Sequence, residues 1–180
     1  MTTRQSVLAL LIALTCGLAA IARPAAAQGP DPELGQGWLP EFTLTSRHLL
    51  ALAEAVPAEK FGWRPAPGVR SISEVYMHIA AANLFLLGQA GVPSPELAKL
   101  PKDFEKSVTG KADVVRWLRT SLDAVKNAYQ TADRQKKVQL FGKDTTAEGV
   151  FLRILLHNNE HMGQSIAYAR MNGVVPPWSQ

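Results

Sequence analysis

The sequence predicts an all-α protein, a four-helix bundle that follows an N-terminal signal peptide. Apolar residues recur at intervals of three and four over four long segments, which is the spacing of amphipathic helices. Helix-capping patterns precede two of these segments, and no segment alternates apolar and polar residues as strands do. Four such helices bury their apolar faces by packing together as a bundle.

The first 27 residues have the composition of a secretory signal peptide. Arg4 precedes an uncharged apolar run over 7–22, and small residues ending at Ala27 form an Ala-x-Ala cleavage site. We expect cleavage after Ala27, export to the periplasm or the medium, and no stable membrane span afterwards. One alternative is an uncleaved anchor, for which the run is shorter than the roughly 20 residues that span a bilayer. The other is a lipoprotein attached at Cys16, although the residues before that cysteine fit a lipid-attachment site poorly.

The chain after the leader has the length of one domain. We expect a Gly- and Pro-rich lead-in over 28–36 and a bundle domain over 37–180. The leader carries basic residues and no acidic ones, so the mature chain is only slightly basic, and no basic block predicts a nucleic-acid partner. Cys16 is the only cysteine. The mature chain therefore has no disulfide, thiolate ligand or cysteine nucleophile, and any metal site must use His, Asp, Glu or water.

The first helix is predicted over 38–56 and is ended by Pro57. His48 lies beside its apolar stripe, and we expect a partly exposed histidine there rather than a metal ligand. A connection rich in proline and glycine follows, in which Trp63 is expected to close one end of the core. The predicted inner face of the first helix consists of Trp38, Phe42, Thr45, Leu49, Leu52 and Val56.

The second helix is predicted over 72–89. Ser71 and Glu74 fit a capping box at its start, and Gly91 fits its end. Glu74 could instead orient the imidazole of His78, which lies one turn later, but capping is the preferred role. The predicted inward positions are Val75, His78, Ile79, Ala82, Phe85 and Leu86.

The second half of the chain predicts two more helices. A polar loop over 92–110 leads to a third helix over 111–133, which contains no histidine. A turn over 141–144 and a second capping box over 145–148 then start the fourth helix, which continues to about residue 172 and is capped by Gly173. Trp178, in the extended tail, is expected to dock on the bundle.

The fourth helix carries two histidines four residues apart. His157 and His161 therefore lie one above the other on one face. The same face is predicted to be buried, and an unpaired buried polar group costs about 2–7 kcal/mol. A divalent ion with His78 as third ligand would satisfy both imidazoles. The predicted buried stripe consists of Val150, Ile154, His157, His161, Ser165 and Tyr168.

Three neutral imidazoles leave coordination positions open, as in catalytic or exchangeable sites. Zinc and nickel suit such ligands best, and iron or manganese are also compatible. Position 158 is asparagine, so the His-Glu-x-x-His pattern of zinc proteases is absent. No catalytic acid or base stands out: Glu160 points away from the pair and is expected to bind Arg153 or a neighbouring helix. Gln164 could bind a ligand or hold another helix, and Asn83 and Asn158 are weaker supporting candidates.

Four motifs in this order resemble the DinB-like superfamily of bacterial four-helix-bundle proteins, also described as DinB/YfiT-like metalloenzymes. They are Trp63-Arg64-Pro65 with Gly68-Val69-Arg70-Ser71; Tyr76-Met77-His78-Ile79-Ala80; the pair His157 and His161; and Gly163-Gln164 with Tyr168-Ala169-Arg170 and Gly173. The resemblance implies that His78, His157 and His161 bind a divalent metal ion. It also implies thiol-dependent transferase, hydrolase or isomerase activity on a small-molecule substrate, and frequent homodimers.

Three functional hypotheses follow. The first is an exported metal-dependent enzyme of hydrolase or transferase type; export disfavours transfer of cytosolic low-molecular-weight thiols, because the exported protein meets an oxidising environment. The second is a non-catalytic metal-binding or interaction module of the cell envelope. The third is a structural bundle whose histidines form hydrogen bonds in the core.

Overall fold

The four long helices begin and end within two residues of their predicted limits. The computed structural model describes residues 34–179. Within this range the helices are α1 (Trp38–Ala55), α2 (Ile72–Gln89), the one-turn α3 (Phe104–Ser107), α4 (Lys111–Thr131) and α5 (Ala147–Met171), with short 3-10 turns at Ala58–Lys60, Pro95–Lys99 and Pro177–Ser179. The fold is mostly helical, as predicted, with α3 and a short hairpin as additions.

The ends of α2 are defined by the residues that the sequence indicated. Ser71 Oγ accepts a hydrogen bond from Glu74 N, and the Glu74 carboxylate accepts from Ser71 N at 2.8 Å, which completes the capping box. At the other end, Gly91 has a φ of +74°, and Val92 N donates to Leu87 O at 3.0 Å. A residue with a side chain is strained in this left-handed conformation, so glycine is suited to the position. These caps fix where His78 lies along the bundle.

The core lies between two pairs of helices. α1 and α2 each pack against both α4 and α5. Phe42, Leu49 and Leu52 of α1 are fully buried, as the predicted stripe requires. α2 is buried on most of its surface because it lies between α4 and α5.

One predicted inward position of α2 is wrong. Phe85 is 43% exposed, and its ring lies 6.3 Å from that of Phe141, which is also exposed. It turns away from the core because the segment that follows α4 approaches α2 on this side. Val75, Ile79 and Leu86 are buried, whereas His78 and Ala82 are half-buried.

A two-stranded antiparallel hairpin replaces the simple turn predicted between the last two long helices. β1 (Lys137–Leu140) pairs with β2 (Lys143–Thr146), and Leu140 lies opposite Lys143. Phe141 and Gly142, which connect the strands, have φ values of +49° and +78°. Two positive φ values match the right-handed twist of paired strands.

The second predicted capping box is wrong in its register. The N-cap of α5 is Thr146, whose hydroxyl accepts from Gly149 N at 3.2 Å. Glu148 instead accepts from the Tyr129 hydroxyl and pairs with Arg134. Because β2 extends through Thr146, the helix starts after it.

The tail docks on the bundle as predicted. The Trp178 ring stacks on His48 of α1, with centroids 4.0 Å apart. The predicted signal peptide and most of the predicted lead-in lie outside the described residues. Within 34–179, no helix has the length and apolar composition needed to cross a membrane.

Candidate metal centre

The three predicted histidines converge in the structure. His78 of α2 and His157 and His161 of α5 each offer a ring nitrogen, and these nitrogens all lie within 4.8 Å of one another. Their ring centroids are 4.5–5.1 Å apart, and all three side chains are half-buried. The fourth histidine, His48, belongs to the Trp178 contact and not to this cluster.

A buried polar pair sets the register of α2 against α5 beside the cluster. Asn158 Nδ2 donates to Asn83 Oδ1 at 2.7 Å, and Asn83 Nδ2 donates to Asn158 Oδ1 at 3.3 Å. Both side chains are fully buried, and Ser121 of α4 accepts a further bond from Asn83. Buried amides need such partners, so sliding one helix along the other is unfavourable. The pair supports the position of His157 without contacting any imidazole.

Hydrogen bonds define the protonation of two of the imidazoles. A Glu105 carboxylate oxygen lies 2.9 Å from His78 Nδ1, and the Gln164 side-chain oxygen lies 2.8 Å from His161 Nδ1. An oxygen acceptor at each Nδ1 places the proton there, which leaves the lone pair of a neutral ring on Nε2. Gln164 is itself held by the Tyr168 hydroxyl at 2.9 Å, so it supports an imidazole of its own helix rather than another helix.

The distance between His157 and His78 tests whether the three histidines fit one metal ion. His157 Nε2 lies 3.2 Å from His78 Nε2, while His157 Nδ1 is buried and has no hydrogen-bond partner in the described part of the chain. Two nitrogens that bind one tetrahedral zinc ion at about 2.0–2.1 Å are about 3.3 Å apart. The spacing of these two nitrogens therefore fits a shared divalent ion.

The environment keeps His78 and His157 in the neutral form that binds metal. Burial, together with the smaller effects of His161, His78 and Arg153, lowers the pKa of His157 to about 4, although the charge of Glu160 opposes the shift. Burial also lowers the pKa of His78, although the Glu105 hydrogen bond opposes this effect. Both rings are thus uncharged near neutral pH, and protons do not compete strongly with an ion.

Glu105 is the functional residue that the sequence reasoning missed. It lies on α3, within a segment predicted to be only a polar loop. Burial raises the pKa of its carboxyl, but hydrogen bonds from Arg70 and His78 outweigh that effect, so the pKa lies below its ordinary value. Glu105 is therefore ionised and accepts from the imidazole. Neither the periodicity of the sequence nor a motif indicates that Glu105 contacts His78.

The other polar candidates have structural roles. Glu74 caps α2 and accepts from Arg64 at 3.0 Å, so it does not orient His78. Glu160 forms an ion pair with Arg153 at 2.7 Å, which is one of the two outcomes expected for it.

Trp63 packs edge-on against Tyr168, with ring centroids 5.3 Å apart, in agreement with the predicted role at the end of the core.

The comparisons with known proteins agree with this architecture. A family model described as the DinB superfamily matches residues 41–165, a range that contains all three histidines. The crystal structure of a DinB-like protein from Bacillus cereus ATCC 10987 is 20% identical to this chain, with a TM-score of 0.67. The similarity covers 79% of this chain and 95% of that chain, and it shows a shared fold. No curated protein gives a significant match.

Proposed function

This chain belongs to the DinB superfamily, and we propose that it binds one divalent metal ion through His78, His157 and His161 and uses it in hydrolase- or transferase-type chemistry. The observation that carries the proposal is the convergence of three ring nitrogens from two helices within 4.8 Å. Ring nitrogens at this spacing can share one ligand, and the 3.2 Å between the Nε2 atoms of His78 and His157 fits a divalent ion.

The residues around the cluster suit this role. Glu105 and Gln164 hold protons on the Nδ1 atoms of His78 and His161, so that the Nε2 lone pairs are available. When bound, the ion would supply Lewis-acid chemistry at its open coordination positions, with its full charge available to an anionic or polarised oxygen of a small-molecule substrate. Zinc and nickel are the preferred ions for an all-imidazole set, with iron or manganese also compatible.

Metal analysis of the purified protein tests the site. After incubation with zinc or nickel and dialysis, we expect about one ion per chain at pH 7.5, as for a single three-ligand site. His161→Ala should lose the ion. His48→Ala is the matched control, because it removes an imidazole that lies outside the cluster. A wild-type protein that repeatedly takes up no divalent ion would refute the site.

The non-catalytic metal-binding module of the cell envelope remains the second candidate. Glu105 and Glu160, which lie near the histidines in space or in sequence, are both engaged in ion pairs, with Arg70 and Arg153. This leaves the reaction without an assigned acid or base. Turnover of an ester, amide or thiol substrate that is abolished by His78→Ala would establish the enzyme, whereas a metal-loaded protein without turnover would favour the binding module.

We also propose export through the leader at residues 1–27. The support is the charge and apolar pattern of the sequence. Expression in a bacterial host followed by fractionation and mass spectrometry tests this proposal. We expect an exported chain that begins at Gln28. Recovery of the intact chain in the cytoplasm would contradict it.

A further inference from the structure

Glu105 reaches the histidine cluster from a segment that is distant in sequence. One carboxylate oxygen lies 2.9 Å from His78 Nδ1, and the other lies 2.8 Å from Arg70 Nε. A second Arg70 nitrogen lies 3.3 Å from the oxygen that faces His78. The carboxylate is only 26% exposed. Three segments, the loop before α2, α2 itself and α3, therefore meet at this one side chain.

The position of the Glu105 carboxylate influences Nε2, the nitrogen on the opposite side of the His78 ring. A proton held on Nδ1 leaves the Nε2 lone pair pointing away from Glu105, and Nε2 is the atom 3.2 Å from His157 Nε2. Hydrogen bonding to an anion also makes the imidazole a better electron donor and fixes the orientation of its ring. Glu105 thus favours the form of His78 that can ligate an ion shared with His157.

Arg70 holds the carboxylate in this position. It immediately precedes Ser71, the N-cap of α2, so its backbone is anchored by the capping box. Its two contacts with Glu105 form a paired guanidinium–carboxylate arrangement, which fixes geometry better than a single charged contact. Both residues are partly exposed, so we assign the pair an orienting role rather than a large contribution to stability.

No other carboxylate of residues 34–179 hydrogen-bonds a histidine of the cluster. His161 is supported by the neutral amide of Gln164, and His157 Nδ1 has no partner in the same range. Within the described residues, the carboxylate hydrogen bond to this centre is therefore the one that Glu105 makes with His78.

We propose that Glu105 is a positioning residue of the metal centre: it holds His78 in the ligating tautomer and orientation, Arg70 holds Glu105, and together they raise the affinity for the ion. The proposal rests on the metal binding proposed above. It extends that function to a residue outside the three ligands and to a one-turn helix.

Zinc affinity measured by competition with a chromophoric chelator at pH 7.5 tests the proposal. Removal of such a supporting carboxylate typically weakens metal binding by about 10–100-fold, and we expect that loss for Glu105→Ala. Glu105→Gln should lose less, because the amide oxygen can still accept from Nδ1. Glu96→Gln is the matched control. Glu96 lies in the same connection between α2 and α4 and pairs with Lys99, not with a histidine.

A second readout distinguishes positioning from a general loss of structure. Nitrogen-15 NMR of the metal-free wild type should show His78 protonated on Nδ1, and Glu105→Ala should shift the ring toward the Nε2-protonated tautomer. Thermal melts of the metal-free variants verify folding. If Glu105→Ala does not fold, Glu105→Gln tests the same role with a side chain of nearly equal volume: we expect a smaller loss of zinc affinity, and affinity equal to wild type would overturn the role of the charge.

The outcomes separate this inference from the function on which it rests. Zinc affinity of folded Glu105→Ala within about twofold of wild type, with the His78 tautomer unchanged, would overturn the positioning role while leaving the three-histidine site intact. Failure of the wild type itself to bind zinc would refute both. A loss in Glu105→Ala, a partial loss in Glu105→Gln and no loss in Glu96→Gln would support it.

Discussion

Replacing Asn158 with alanine tests how the two histidine-bearing helices are aligned. Asn158 is fully buried and donates both to Asn83 Oδ1 at 2.7 Å and to Ile154 O at 2.8 Å. The substitution leaves Asn83 Oδ1 without its donor, whereas Asn83 Nδ2 keeps Ser121 as an acceptor. One buried acceptor and one of the two Asn83 Nδ2 hydrogens thus lose their partners, and a small cavity forms where the amide was.

These two effects set the expected magnitude. An orphaned buried acceptor costs about 1–3 kcal/mol, and the cavity adds a smaller term. We expect Asn158→Ala to lower the free energy of unfolding by about 2–4 kcal/mol, which is a decrease of roughly 4–16 °C in melting temperature for a chain of this size. Because His157 is the preceding residue, metal affinity should fall as well.

Urea unfolding with a double-mutant cycle measures the effect. Asn127→Ala is the control: it is the same change at an exposed position of α4 whose side chain makes no hydrogen bond within residues 34–179. We expect it to cost less than about 1 kcal/mol. The double variant Asn83→Ala with Asn158→Ala should be less destabilised than the sum of the single variants, by about 0.5–3 kcal/mol. Equal effects at positions 158 and 127, with no coupling between Asn83 and Asn158, would show that this pair does not align the two helices.

Two further predictions concern the ion and the imidazoles. Adding a chelator should lower the stability of the metal-loaded protein by about 3–4 kcal/mol if the free metal concentration was 100–1,000 times the dissociation constant. Thermal melting measures this change. An unchanged melting temperature would favour a purely structural bundle. The metal-free protein should lose stability as the pH falls from about 6.5 toward 4. In the folded chain the pKa of His157 is about 4, whereas in the unfolded chain it is about 6.5. Between these values the unfolded chain binds a proton that the folded chain does not, so protonation favours unfolding. The measurement is the urea midpoint in chelator at pH 7.5, 6 and 5, and a constant midpoint in wild type would contradict the prediction.

The long helices could be predicted because their signals are local. Apolar spacing and the Ser71–Glu74 capping box are properties of neighbouring residues, and α2 has the limits predicted for it. The three candidate ligands were predictable for a related reason. His157 and His161 share a helix face, and His78 lies on a helix whose limits were already defined by its caps.

The hairpin was missed because its turn has an unusual first residue. Phe141 occupies a left-handed conformation that normally favours asparagine, aspartate or glycine, so the usual hairpin signal is absent. Its ring stacks near Phe85, a contact that only the tertiary structure reveals. Phe85, which was predicted to face inward, makes this contact at the surface.

Glu105 was missed for a different physical reason. It lies 27 residues from His78 in sequence, on a single helical turn that follows a proline-containing segment. Neither periodicity nor spacing relates such a residue to a site, because its position depends on how the loop packs against α2. Its contacts with Arg70 and His78 depend on that packing.

Anomalous diffraction from crystals grown with zinc shows whether the three histidines bind one ion. We expect one anomalous peak at the zinc absorption edge, at about 2.0–2.1 Å from a ring nitrogen of each of His78, His157 and His161. The same peak should be absent in His161→Ala crystals and present in His48→Ala crystals. A wild-type crystal with no peak between these rings, or with an ion that one of the three does not contact, would contradict this prediction.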